Sequence, residues 1–391
     1  MGVRGGVENM QWLFTATFVA MLLVVPIFAA LATRFRRTRL IPAAYGLFLV
    51  CIVGFWFWLQ SDFAMDWAAR TFFVWLSVFN LFVVSVFWSY LADLFDDAAA
   101  ARLFGAIAAG GSAGAIVGPT LTAVLAQYIA AAWLLLLAGA LLALTLPCML
   151  VLDRWSRGRG GDAARSGDSE ALGGTLLEGV RAVAGSRYMM GICAFIWLYT
   201  TLATFLYFTQ AGIVSDAFAD SGDRTTVFAV IDALTNTLTV GIQLFLTGRV
   251  VSHFGLGRTL AFVPLLVAAG FLVLAAAPVL VTIMGVQVVR RAGNYALAKP
   301  GREMLWTVLP RMQKYKSKNF VDTVIYRGGD AIAGWAHTGL GALGLGATGI
   351  SLVGVPLALV WAAIGYRLGI TRSRRVDAAA AEADAAPAPT G

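Results

Sequence analysis

Residues 188–214 read Tyr188-Met-Met-Gly-Ile-Cys-Ala-Phe-Ile-Trp-Leu-Tyr-Thr-Thr-Leu-Ala-Thr-Phe-Leu-Tyr-Phe-Thr-Gln-Ala-Gly-Ile-Val214, without one charged side chain. About 20 apolar residues carry a helix across a ~30 Å hydrocarbon core, whereas barrel strands would be half as long and would alternate. Stretches of this kind recur between short polar connectors. They predict eleven spans: Trp12–Ala32, Leu40–Leu59, Thr71–Leu91, Leu103–Leu125, Ile129–Leu152, Tyr188–Val214, Thr226–Leu246, Thr259–Ala275, Leu280–Leu309, Phe320–Leu343 and Gly349–Arg367. The ninth is overlong and contains Pro300, which predicts a kink or break there.

The composition agrees. Of 391 residues 59% are hydrophobic and 13% charged, about half the ~25% of a soluble domain, which excludes that class. The expected fold class is an all-α polytopic membrane protein. Trp12–Ala32 is too long for the apolar region of a cleavable signal peptide.

The net charge of +8 is distributed topologically and gives no reason to expect a nucleic-acid partner. Arg34, Arg36, Arg37 and Arg39 follow the first span, six arginines occupy the central connector, and Arg367, Arg372, Arg374 and Arg375 close the last span. Alternate connectors hold only Arg70 and Arg224 among several Asp residues. The positive-inside rule places the central connector and the C-terminus in the cytoplasm, and the expected location is a bacterial inner membrane. Cys51, Cys148 and Cys193 lie in apolar spans, so no disulfide is expected, and His253 and His337 lack ligand-spaced partners for a metal.

Residues 153–187 form a Gly/Arg/Ser-rich linker with an interfacial helix at Leu172–Val183, dividing an N-terminal bundle (1–152, five spans) from a C-terminal bundle (188–370, six spans). A disordered tail is expected over 371–391. The halves resemble each other. A shift of 218 positions puts Trp88 on Trp306, Ile107 on Ile325, Gly110 and Gly111 on Gly328 and Gly329, and Ala113 on Ala331. In that register Leu103–Leu125 pairs with the fifth span of the second half but has only three spans before it. The first helix of a usual twelve is therefore expected upstream of Met1, as an in-frame run of roughly 20 apolar residues.

Two passages carry a family resemblance. One runs Phe87-Trp88-Ser-Tyr-Leu-Ala-Asp93-Leu-Phe-Asp96, followed by Ala101-Arg102-Leu103-Phe104-Gly105. The other is Lys299-Pro300-Gly301-Arg302-Glu303, followed by Lys314 to Asp322 and by Tyr326-Arg327-Gly328-Gly329-Asp330. The chain resembles, over essentially its whole length, the major facilitator superfamily, and these passages are similar to its bacterial nucleotide (ATP/ADP) translocase-like branch. The resemblance implies a two-bundle fold, solute antiport and no cofactor.

Charge inside the membrane selects the candidate sites, because it costs about 2.5–3.5 kcal/mol per residue on insertion scales and needs a protein or aqueous surrounding. Arg290 and Arg291 lie ten residues into the ninth span, about 15 Å deep. They either fork onto an anionic substrate or snorkel to the headgroups, and at most one faces a cavity squarely. Arg327 and Asp330, at i and i+3, form an intrahelical ion pair or a ligand contact, with Tyr326 and Asp322 on a neighbouring face. Asp232 and Asn236 are a turn apart in the seventh span, as substrate ligands or as helix glue. Lys299, Arg302 and Glu303 around Pro300 form either a gate of ion pairs or a helix cap, and Asp93, Asp96 and Arg102 are their counterparts in the first half. Asn80, Tyr199, Tyr207 and Gln210 are further cavity candidates.

The function expected is alternating-access transport of an organic anion, nucleotide exchange being the specific form, by a chain expected to act as a monomer among lipids. Two alternatives stand beside it. A lipid-modifying enzyme would need a base or nucleophile at headgroup depth, and no His–acid or metal-ligand spacing offers one, so no enzyme is expected. A sensor or scaffold would keep the fold without flux.

Overall fold

The computed structural model describes residues 9–34, 37–61, 63–94, 97–157, 181, 183–309, 317 and 320–385. Among the described residues the chain forms eleven helical rods and no strand. They are α1 (Met10–Arg34), α2 (Arg37–Gln60), α3 (Met65–Leu94), α4 (Asp97–Leu125), α5 (Ala131–Arg157), α6 (Arg187–Ala217), α7 (Ser221–Phe245) and α8 (Thr247–Ala276). The rod α9 starts as Leu280–Gly293, widens into a π-helical turn at Asn294–Ala298 and ends as Lys299–Leu305 with a 3-10 turn at Trp306–Val308. The rod α10 opens with a π-turn at Val321–Ile325 and continues as Tyr326–Ala342, and α11 is Ala347–Ala385. Among the described residues seven helices are long and apolar enough to cross a bilayer, and Met10–Val24 and Gly110–Leu125 are shorter apolar helices. In hydrocarbon a backbone N–H or C=O has no water to bond, so each apolar segment closes its own bonds as helix.

One expectation is refined and one is corrected. The break expected at Pro300 falls one turn earlier. The π-turn precedes Pro300, Lys299 N–H bonds the carbonyl of Asn294 five residues back, and the proline then sits in the first turn of Lys299–Leu305, where its missing N–H is tolerated. The expected disordered tail is helical as far as Ala385, because Asp377 to Ala385 is mostly alanine, the best helix former. The glycines Gly110, Gly111, Gly339, Gly341 and Gly346 have nothing within 4 Å of where a Cβ would stand. Gly344 serves a turn instead, at φ +85°. The interfacial helix expected at Leu172–Val183 lies almost wholly outside the described residues.

Packing contacts group the chain into two compact units: Met1–Leu172 with Val214–Ala233, and Gly173–Ile213 with Leu234–Gly391. The α6–α7 turn joins the first because it nestles on the end of α4, where a Cβ on Gly222 would lie 3.0 Å from the Ala126 carbonyl. In that unit Tyr45 and Ile52 of α2, Tyr90 of α3, and Leu142 and Met149 of α5 form the core. Phe48 meets Phe79 edge to face at 5.1 Å, and the Tyr90 hydroxyl donates to the Met149 carbonyl.

The second unit is built on α6, α8 and α11. Ile192, Phe195, Leu202 and Leu206 of α6 meet Leu260, Val263 and Phe271 of α8 and Trp361 of α11. Glycines bring α8 and α11 into backbone contact: a Cβ on Gly369 would strike the Gly257 backbone, and one on Gly365 would lie 2.9 Å from the Leu260 carbonyl. Just before this crossing Gly255 turns the chain at φ 74° and ψ 163°, a conformation open only to glycine. Lipid tails are as apolar as leucine, so such close packing supplies the association that water exclusion supplies elsewhere.

Candidate functional site

Three helices of the second unit turn polar residues toward one another. On α9 the spacing Gln287, Arg290, Asn294 (i, i+3, i+7) places all three on one face, and all three are buried. On α6 the facing residues are Tyr199, Thr204 and Gln210, and on α10 they are Tyr326 and Asp330.

Gln287 is the hub. Its Nε2 donates to Gln210 Oε1 at 2.6 Å, and its Oε1 accepts both Nε (3.1 Å) and Nη2 (2.8 Å) of Arg290. One turn along, Asn294 Nδ2 donates to the Tyr199 hydroxyl at 3.1 Å. The Tyr199 ring packs 5.8 Å from both Tyr326 and Trp361. Thr204 Oγ1 donates to Asp330 Oδ1 at 3.3 Å, while Asp330 Oδ2 pairs with Arg327 Nη1 at 3.7 Å. Arg290 also acts electrostatically on Asp330. Close approach makes this possible, since a Cβ on Gly329 would collide with Thr200 and Trp197 of α6.

Arg290 is only 8% exposed, and its charge is met by a neutral amide. Its Nη1 group makes no hydrogen bond to the described residues. A buried guanidinium with spare donors is arranged to receive a carboxylate or phosphate oxygen.

The other expected site residues are placed as follows. Arg291 is half-buried on the adjoining face of α9. Asp232 and Asn236 are half-buried one turn apart on α7. Lys299 is exposed, Glu303 is half-buried, and the Arg302 guanidinium lies 5.9 Å above the Tyr326 ring, a cation–π contact. Asp93 on α3, Arg102 on α4 and Asp322 in the π-turn that opens α10 have side chains outside the described residues, and Asp96 lies wholly outside them. Sequence reasoning missed Gln287, Asn294 and Thr204. Their signal was the i, i+3, i+7 register with Arg290 on α9, and for Thr204 a helix face shared with Thr200.

A family model described as the Major Facilitator Superfamily matches residues 5–298. Among solved structures the chain is similar to a bacterial homolog of the human lysosomal transporter Spinster, crystallised inward-facing and unoccupied. The TM-score is 0.53 at 14% identity, over 96% of this chain and 90% of that one. A search of curated proteins finds no match.

Proposed function

The chain belongs to the Major Facilitator Superfamily, a family of membrane solute transporters, and from that premise we propose that it carries an organic anion across a bacterial inner membrane by alternating access of its two helical halves. Arg290 supports the anion: it is a cation at mid-span, buried, partnered by a neutral amide and with donors to spare. The Arg327–Asp330 pair and Tyr326 flank it, and Arg302 above Tyr326 is suited to a gate that opens and closes with the halves. Nucleotide exchange is the specific form favoured by the resemblance of Lys299 to Asp330 to nucleotide translocases.

The test is uptake of radiolabelled ATP, ADP and small organic acids into proteoliposomes loaded with the same solutes. Replacing Arg290 by Gln should weaken the transported anion about ten- to a hundredfold, the worth of a charge-assisted hydrogen bond of ~1.5–3 kcal/mol. Lys316→Gln should leave it nearly unchanged. Equal losses in both variants would mean disturbed folding rather than recognition, and the absence of nucleotide-driven flux would remove the nucleotide form.

A further inference from the structure

A groove of about 330 Å³ runs along the hairpin of α8 and α9 and ends at Arg290. Its walls are Val273 of α8 and Val281 and Val289 of α9, with Gly270 and Gly285 exposing backbone between them. Gly285 opens the floor, because a Cβ there would have nothing within 4 Å. Among the described residues of the lining, Thr282 supplies the only hydroxyl and Arg290 the only charge.

On the premise that Arg290 meets an anion, we propose that this groove binds a lipophilic monocarboxylate, its apolar body along α8 and α9 and its carboxylate on the free donors of Arg290. Three observations set the class. First, Arg290 is met by the neutral Gln287 amide while Asp330 pairs with Arg327, so this cluster of two guanidiniums and one carboxylate is left with one positive charge, which a single carboxylate balances. Second, the distance fits: Val281 to Arg290 is nine residues, about 14 Å along the helix. An anion reaches that depth beside such walls only on an apolar carrier. Third, the volume fits, since 330 Å³ takes roughly eleven water-sized groups of ~30 Å³, the body of a chain of about ten to twelve carbons. A bilayer phospholipid would lay a chain in the groove but keep its own charge at the headgroup level, away from Arg290.

The test is photolabelling of the full-length protein in nanodiscs with a diazirine-bearing dodecanoate, followed by peptide mapping. Label is expected on α8 and α9, displaced by dodecanoate and not by ADP. Gly285→Leu, which fills an open floor, should abolish it, and Gly285→Phe should do the same. Arg290→Gln should weaken displacement by dodecanoate about ten- to a hundredfold while leaving displacement by dodecanol unchanged. The melting temperature of each variant identifies any that misfold, and the two Gly285 substitutions check each other. Equal displacement by dodecanol and dodecanoate in the unsubstituted protein would show a lipid chain bound without recognition of its head, and would overturn the proposal. Label elsewhere, or label unaffected in both Gly285 variants, would overturn it too. Because labelling reads binding alone, absence of flux for every solute would refute transport and leave this site standing.

Discussion

Gln287 decides what Arg290 is free to do, because a neutral amide satisfies part of the guanidinium without cancelling its charge. Gln287→Glu converts that contact into a buried ion pair while Gln210 turns its amide to donate. Anion affinity should then fall by about tenfold or more, with stability changed by about 1 kcal/mol or less, since pairing and desolvation nearly offset each other. Gln287→Leu strands both Gln210 and Arg290 and should cost about 1–3 kcal/mol of stability. Anion titration and detergent melting curves separate the two; a Gln287→Glu protein that binds anions as before would place recognition away from Arg290. At this scale the sequence exposed the cost of Arg290 and Arg291 but not which of them is enclosed. The residues that decide it are neutral amides, which carry no charge signal.

Among the helices, α8 and α11 form the tightest union, and glycine makes it possible. Gly369 admits the Gly257 backbone itself, so Gly369→Leu has no side-chain adjustment available and should destabilise the second unit by about 3 kcal/mol or more, the upper range of overpacking. Gly114 on α4 has nothing within 4 Å of a Cβ position, so Gly114→Ala should be neutral or stabilise by up to ~1 kcal/mol through helix propensity. Thermal unfolding of the two variants should therefore move in opposite directions or by very different amounts; similar losses would show that α4 is also packed through its glycines. Apolar length disclosed these helices, but not which glycine touches what. The sequence paired Gly110 and Gly111 with Gly328 and Gly329 by repeat register, yet Gly329 lies against α6 while the α4 pair meets nothing. The π-turns were equally hidden, since hydrogen-bond register inside an apolar helix leaves no trace in hydropathy.

For the whole molecule, the eleven helices were legible because span length and connector charge are physical requirements of the bilayer rather than consequences of tertiary packing. The same requirement, read through the positive-inside rule, supports the topology we propose, with the connectors richest in cations on the cytoplasmic side. The connectors that follow α1, α5, α7 and α9 hold most of the cations, and α11 ends in Arg367, Arg372, Arg374 and Arg375. Each cation held on the cytoplasmic side is retained there during insertion, whereas the connectors after α2 and α6 carry acidic residues with no such bias. Two of the C-terminal arginines are also built into the end of the second unit. Arg375 lies 4.4 Å above the Tyr188 ring, and Arg372 donates to Thr307 Oγ1, tying α11 to the starts and ends of α6 and α9 on one side of the membrane. In a protein with Cys51, Cys148 and Cys193 replaced by Ser, Ser61→Cys should therefore react with a membrane-impermeant maleimide in intact cells. Ser373→Cys should react only after permeabilisation. Labelling of Ser373→Cys in intact cells would invert the whole arrangement, and would place the loop end of the α8–α9 groove on the cytoplasmic side of the bilayer instead of the outer one.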